Sequence, residues 1–178
     1  MFAPLEHWHE FYVLLGTGAA ALVALQFVAA SLGAGYLSFE TAAASRTYMT
    51  PVIVHFSSVL FACAAGLIPW HHATTFALSL GVASAIGIAY SAHLSIRVFR
   101  DGGEDIEFDD KLCHGIVPPL GYALGLASAV MFHLDSPYAA AALAVALLLL
   151  LGVNIRNAWD LTLFMARKHT AAKQSSAP

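Results

Sequence analysis

The side chains best suited to bind a metal or pass a proton are the histidines, nine in 178 residues. Three of them, His55, His93 and His114, stand inside or at the edge of apolar runs. Neutral imidazole is the commonest transition-metal ligand and the usual axial ligand of b-type haem. A second group, Glu6, His7, His9, Glu10, His71, His72, His133 and Asp135, flanks those runs. Its imidazoles and carboxylates suit copper or zinc. A third constellation lies at residues 152–160 (GVNIRNAWD), where Asn154, Arg156, Asn157 and Asp160 interrupt the last apolar run after an unbroken stretch of Ala, Leu and Val. No Ser-His-Asp order, Walker loop, HExxH or CxxC occurs, so neither hydrolysis nor phosphoryl transfer has support, and no catalytic residue is assigned. Cys63 and Cys113 read as small apolar residues rather than a disulfide framework.

The elements that must carry these groups follow from composition. The chain is 59% hydrophobic and 11% charged, with a mean hydropathy of +0.72, against about 25% charged in ordinary soluble domains. That is the composition of a membrane protein, and without a basic patch it excludes nucleic acid as a partner. Five runs are long enough to cross a bilayer as helices, which takes about 20 residues. They fall at 11–32, 51–70, 74–98, 115–134 and 138–164. Pro51 suits a first helical turn, and Asp135-Ser136-Pro137 reads as a cap opening the fifth helix. The short links between the second and third and between the fourth and fifth runs imply antiparallel hairpins. Pro118-Pro119 predict a kink in the fourth helix. Gly121 and Gly125 form a GxxxG, and the first run carries Gly16/Ala20, all suited to close helix packing.

The expectation is therefore an all-α, polytopic membrane helical bundle of five transmembrane helices over residues 1–167, with a polar, unstructured tail at 168–178. All eight Lys and Arg fall in or nearest one side, comprising the links at 33–50 and 100–111 and the tail. By the positive-inside rule the N-terminus is outside and the C-terminus cytoplasmic. The opening lacks the basic n-region of a cleavable signal peptide, so the first span is expected to stay.

Depth, counted at 1.5 Å per residue, places one polar group or more from every span in the cytoplasmic third. They are Gln26; His55 with Ser58; His93 between Ser91 and Ser95; His114; and Asn154, Arg156, Asn157 and Asp160. Three readings share these residues. As interhelical hydrogen bonds they would each contribute about 0.6–2 kcal/mol, with Arg156 and Asp160 paired at i, i+4. As ligands, His55, His93 and His114 would hold a single haem b or transition metal, with Asp160, Asn157 or Asn154 behind them. Two stacked haems are disfavoured, because His55 to His71 and His114 to His133 are more widely spaced than the ~13–14 residues that ~20 Å of helix allows. A separate outer-face metal site would use His7, His9, His71, His72 and His133. Finally, the imidazoles and Asp160 could form a proton pathway in a small oligomeric channel.

The stretches HEFYVLLGTGAAALVALQFVAAS (residues 9–31) and IRNAWDL (155–161) resemble the first and last helices of a loose set of small bacterial inner-membrane proteins of unknown function. The resemblance implies a multi-pass bacterial inner-membrane protein of five helices and transfers no activity. The leading expectation is a non-catalytic subunit, assembly or accessory factor of a membrane complex. Its partners would be the lipid bilayer and other membrane proteins, or itself as a homo-oligomer.

Overall fold

The computed structural model describes the backbone of residues 3–34, 39–101 and 108–175, and side chains over 5–31, 50–100 and 112–163. The elements are α1 (Ala3–Glu6), α2 (His9–Ala34), α3 (Phe39–Leu67), α4 (Ala73–Asp101), α5 (Phe108–Gly115), α6 (Val117–His133) and α7 (Ala139–Ser175), with no strand among the described residues. Five stretches are long and apolar enough to cross a bilayer: His9–Ser31, Thr50–Leu67, Ala73–Arg100, Leu112–His133 and Ala139–Leu163. The shortest, of 18 residues, rises about 27 Å, close to a hydrocarbon core of roughly 30 Å. Large apolar side chains such as Leu14, Phe27, Phe61, Val82 and Ile96 lie exposed along these spans. Soluble monomers seldom tolerate such a surface, and a bilayer requires it. The protein is a multi-pass helical bundle.

The packing order around the bundle is α2, α3, α7, α6, α4. α7 is the most buried span and separates two helix pairs, α2–α3 and α4–α6. The predicted α6–α7 hairpin packs closely. α3 and α4, although joined by a short link, scarcely touch. The ends of the bundle are named here by composition: the N-terminal face carries α1 and the α3–α4 and α6–α7 links, and the basic face is opposite. The apolar core fills the half nearest the N-terminal face, where Leu5, Tyr12, Phe76, Phe132, Ala139 and Leu143 are buried together. Phe76 and Phe132 meet edge to face at 5.0 Å, a geometry favoured by ring quadrupoles. Tyr12 donates its hydroxyl hydrogen to the Ala140 carbonyl at 3.2 Å and Ser128 to the Ala139 carbonyl at 2.8 Å, tying α2 and α6 to the start of α7.

Three local expectations change. Pro51 lies inside α3, which begins at Phe39; the alanine-rich stretch ahead of the proline is a good helix former and extends the element toward the basic face. The proline pair interrupts the fourth span where a kink was expected, so that the single crossing Leu112–His133 is made of two helices. α5 ends at Gly115, Ile116 is the N-cap of α6, and the prolines occupy its first turn, where a missing N–H costs least. Asp135 closes α6 rather than opening α7. It takes a left-handed φ of 52°, while Ser136 N–H bonds the Met131 carbonyl at 2.9 Å and Asp135 N–H the Phe132 carbonyl at 3.3 Å. These are the two bonds of a Schellman motif. α7 continues as helix to Ser175, beyond the point where the tail was expected to lose structure. Residues 102–107 of the acidic link, and Tyr36, lie outside the described residues.

Candidate functional site

The buried polar groups begin at the broken junction between α5 and α6. Proline has no N–H, so Pro119 cannot supply the helical hydrogen bond that the Gly115 carbonyl would otherwise accept. In hydrocarbon a carbonyl left so would cost several kcal/mol. Ser95 of α4 donates its hydroxyl hydrogen to the Gly115 carbonyl, and Asn157 Nδ2 of α7 reaches the Cys113 carbonyl at 3.3 Å. The break thus recruits donors from two other spans.

One and a half turns further along α6, Tyr122 projects back toward the same junction, as helical side chains lean toward the N-terminus. Its ring is buried and lies where Gly87 of α4 leaves room for it: a Cβ at Gly87 would stand 2.2 Å from the ring. The Tyr122 hydroxyl donates to Ser58 Oγ at 2.9 Å, and Ser58 donates to the Val54 carbonyl at 2.9 Å. Tyr122 Oη is then an acceptor toward His55 Nδ1, 2.8 Å away. The direction of the chain fixes the neutral His55 ring as the Nδ1–H tautomer and leaves a lone pair on Nε2. The Tyr90 ring meets His55 edge-on at 6.0 Å, and His114 lies close enough to act on it electrostatically.

Of the residues expected in one polar layer, Gln26, His55, Asn154 and Asn157 are buried, Ser58 is half-buried, and each lies in the basic half of its span. Asn154 Nδ2 turns back to the Leu150 carbonyl at 2.7 Å, while the Oδ1 atoms of both asparagines are buried without a partner. Arg156 and Asp160 do pair at i, i+4, but at 3.8 Å and with side chains 39% and 40% exposed. Such a pair is worth only a few tenths of a kcal/mol.

His93 departs from the expectation. It is exposed, because it is two residues, or about 200° of helix, from both Ser91 and Ser95. Ser91 is buried and bonds the Gly87 carbonyl at 2.7 Å, while Ser95 bonds the α5–α6 junction, so those two serines define the inward face of α4. His55, His93 and His114 therefore do not assemble as a three-histidine ligand set. The outer group does not assemble either. His7, His71, His72 and His133 are exposed and His9 half-buried, on three separate segments. Among the described residues, no group of three or more His, Cys, Asp or Glu is placed to hold a metal ion.

Tyr122 was not among the residues singled out from sequence. The usable signal was the proline pair, which demands donors at a predictable depth, and Gly87, opposite a tyrosine in an otherwise aliphatic run. The GxxxG glycines both pack within the chain, with Gly121 against Leu150 and Gly125 against Ser84. Comparison with protein-family models, curated proteins and solved structures finds no match to this chain.

Proposed function

We propose that this chain is a non-catalytic subunit, assembly or accessory factor of a bacterial inner-membrane complex, with its N-terminus outside and its C-terminus in the cytoplasm. The observation that carries the reading is the use made of the intramembrane polar groups. His55, Tyr122, Ser58, Ser95 and Asn157 bond other helices or the chain's own carbonyls, which is what a scaffold of fixed shape requires. Meanwhile, among the described residues, no other helix comes within 4 Å of the position a Cβ at Gly18 on α2 would take. Ala21, close to one turn further on and on the same side, is exposed, so this small-residue face is open to a helix of another protein. The clustering of all Lys and Arg on one side supports the orientation, and the resemblance of the first and last helices supports the bacterial inner membrane.

Purification from native membranes in a mild detergent tests the reading. Another membrane protein should co-isolate in fixed ratio, and Gly18→Leu should release it while leaving the bundle folded. A particle containing this chain alone, carrying stoichiometric haem or metal that is lost in His55→Ala, would replace the accessory role with a redox one. Alkaline phosphatase fused after Pro178 should be inactive, and activity there would reverse the orientation.

A further inference from the structure

Where α3 and α4 fail to meet, a cleft of about 430 Å³ runs between them, within the range of small-molecule sites. Ala62 and Phe61 of α3 form one wall and Ala83 and Ile86 of α4 the other, with α6 and α7 as the floor. Phe61 and Ile86 are exposed at the rim, so the opening faces sideways, toward lipid. No charged residue lines it.

The polar lining is selective. Ser58 and Ser79 give their hydroxyl hydrogens to backbone carbonyls, and Tyr122 is bonded on both sides. Ser84 differs. It is 5% exposed and lines the cleft, yet among the described residues nothing hydrogen-bonds its hydroxyl. Gly125 keeps that hydroxyl uncrowded, since a Cβ there would stand 2.9 Å from Ser84 Oγ. A buried hydroxyl in hydrocarbon without a partner is costly, so its partner is to be sought in what enters the cleft.

Depth decides the class of that molecule. Ser84 lies eleven residues into α4, about 16 Å along the helix and so near the middle of a core roughly 30 Å thick. The ester and headgroup oxygens of a phospholipid are held at the interface and do not reach it. A charged head would be expensive at this level, with no counter-charge in the lining. We propose that the α3–α4 cleft binds a neutral lipophile, an apolar chain or ring system bearing a hydroxyl or carbonyl oxygen, entering from the bilayer and hydrogen-bonding Ser84.

The test uses the full chain in phosphatidylcholine nanodiscs and a dodecanol bearing a chain diazirine, with labelled peptides mapped by mass spectrometry. Labelling should be saturable and confined to α3 and α4 peptides around Ala62 and Ala83. Unlabelled dodecanol should compete about fivefold better than dodecane, the worth of one ordinary hydrogen bond, and laurate at pH 8 should not compete. Ser84→Ala should erase the advantage of alcohol over alkane. Ala62→Phe, which fills the cleft from a half-buried wall residue, should abolish labelling in a particle of unchanged size. Equal competition by dodecanol and dodecane, or an advantage that survives Ser84→Ala, would overturn the proposal and leave the cleft as a space for ordinary acyl chains. Labelling that persists in Ala62→Phe would do the same.

Discussion

Gly87→Ala is the sharpest perturbation the fold offers. The added methyl would lie 2.2, 2.3 and 2.7 Å from Cδ1, Cε1 and Cγ of Tyr122, all well inside contact distance. The ring has no easy retreat, because it is 5% exposed and its hydroxyl is held by His55 and Ser58. Overpacking a well-filled site costs about 1–3 kcal/mol. If the ring moves, two hydrogen bonds go with it, at about 0.6 kcal/mol each between membrane helices. Alanine returns about 1 kcal/mol of helix propensity, so the net loss is about 1–3 kcal/mol. Gly18→Ala is the matched control. It makes the same chemical change in α2, where among the described residues no neighbouring helix lies within 4 Å, and should be neutral or stabilising by up to about 1 kcal/mol. Unfolding midpoints in mixed SDS–detergent micelles measure both. In a Tyr122→Ala background, Gly87→Ala should lose its penalty. Equal shifts for the two glycine variants, or a penalty that persists without the ring, would refute the packing of α6 against α4 described above.

Other expectations follow from single contacts. Tyr122→Phe removes the link between His55 and Ser58 and should lower stability by about 1–2 kcal/mol, measured in the same micelles, while leaving the helix content by circular dichroism unchanged. Asp135→Gly should raise the midpoint slightly and Asp135→Val lower it by about 1–2 kcal/mol, since only the first relieves a left-handed backbone. Asp160→Asn should shift the midpoint by less than about 0.5 kcal/mol, because its pair with Arg156 is long and half-exposed; a larger loss would mean that Asp160 ties helices together. Ser95→Ala exposes the Gly115 carbonyl to hydrocarbon and should cost more than Ser79→Ala, whose hydroxyl only turns back on its own helix.

Sequence reports depth in a membrane span far better than it reports direction. A run such as residues 139–151 is apolar all round, so its length gives the crossing and its polar interruptions give their level, which is why Gln26, His55, Asn154 and Asn157 could be placed in one half of the bundle. Rotation about the axis needs one face to differ from another. α4 carried that information only in its serines, and the 200° between His93 and each of Ser91 and Ser95 was enough to turn the histidine outward. Tyr122 was hidden for a different reason. In an apolar run a tyrosine counts as one more large hydrophobe, and its partners lie 64 and 67 positions away. The separation of α3 from α4 was equally illegible, because a short link says that two helices are antiparallel and not that they adhere.

The place of α7 bears on how the chain assembles as it is made. α2 and α3 can pair as soon as both have been inserted, but α4 has little to hold until α6 arrives. The two early units then have only a slight grip on each other, and the segment that joins them is synthesised last. A ribosome stalled before residue 139 would therefore leave two loosely associated helix pairs in the bilayer. Lasting cohesion, and with it resistance to membrane proteases, would come only with the final insertion.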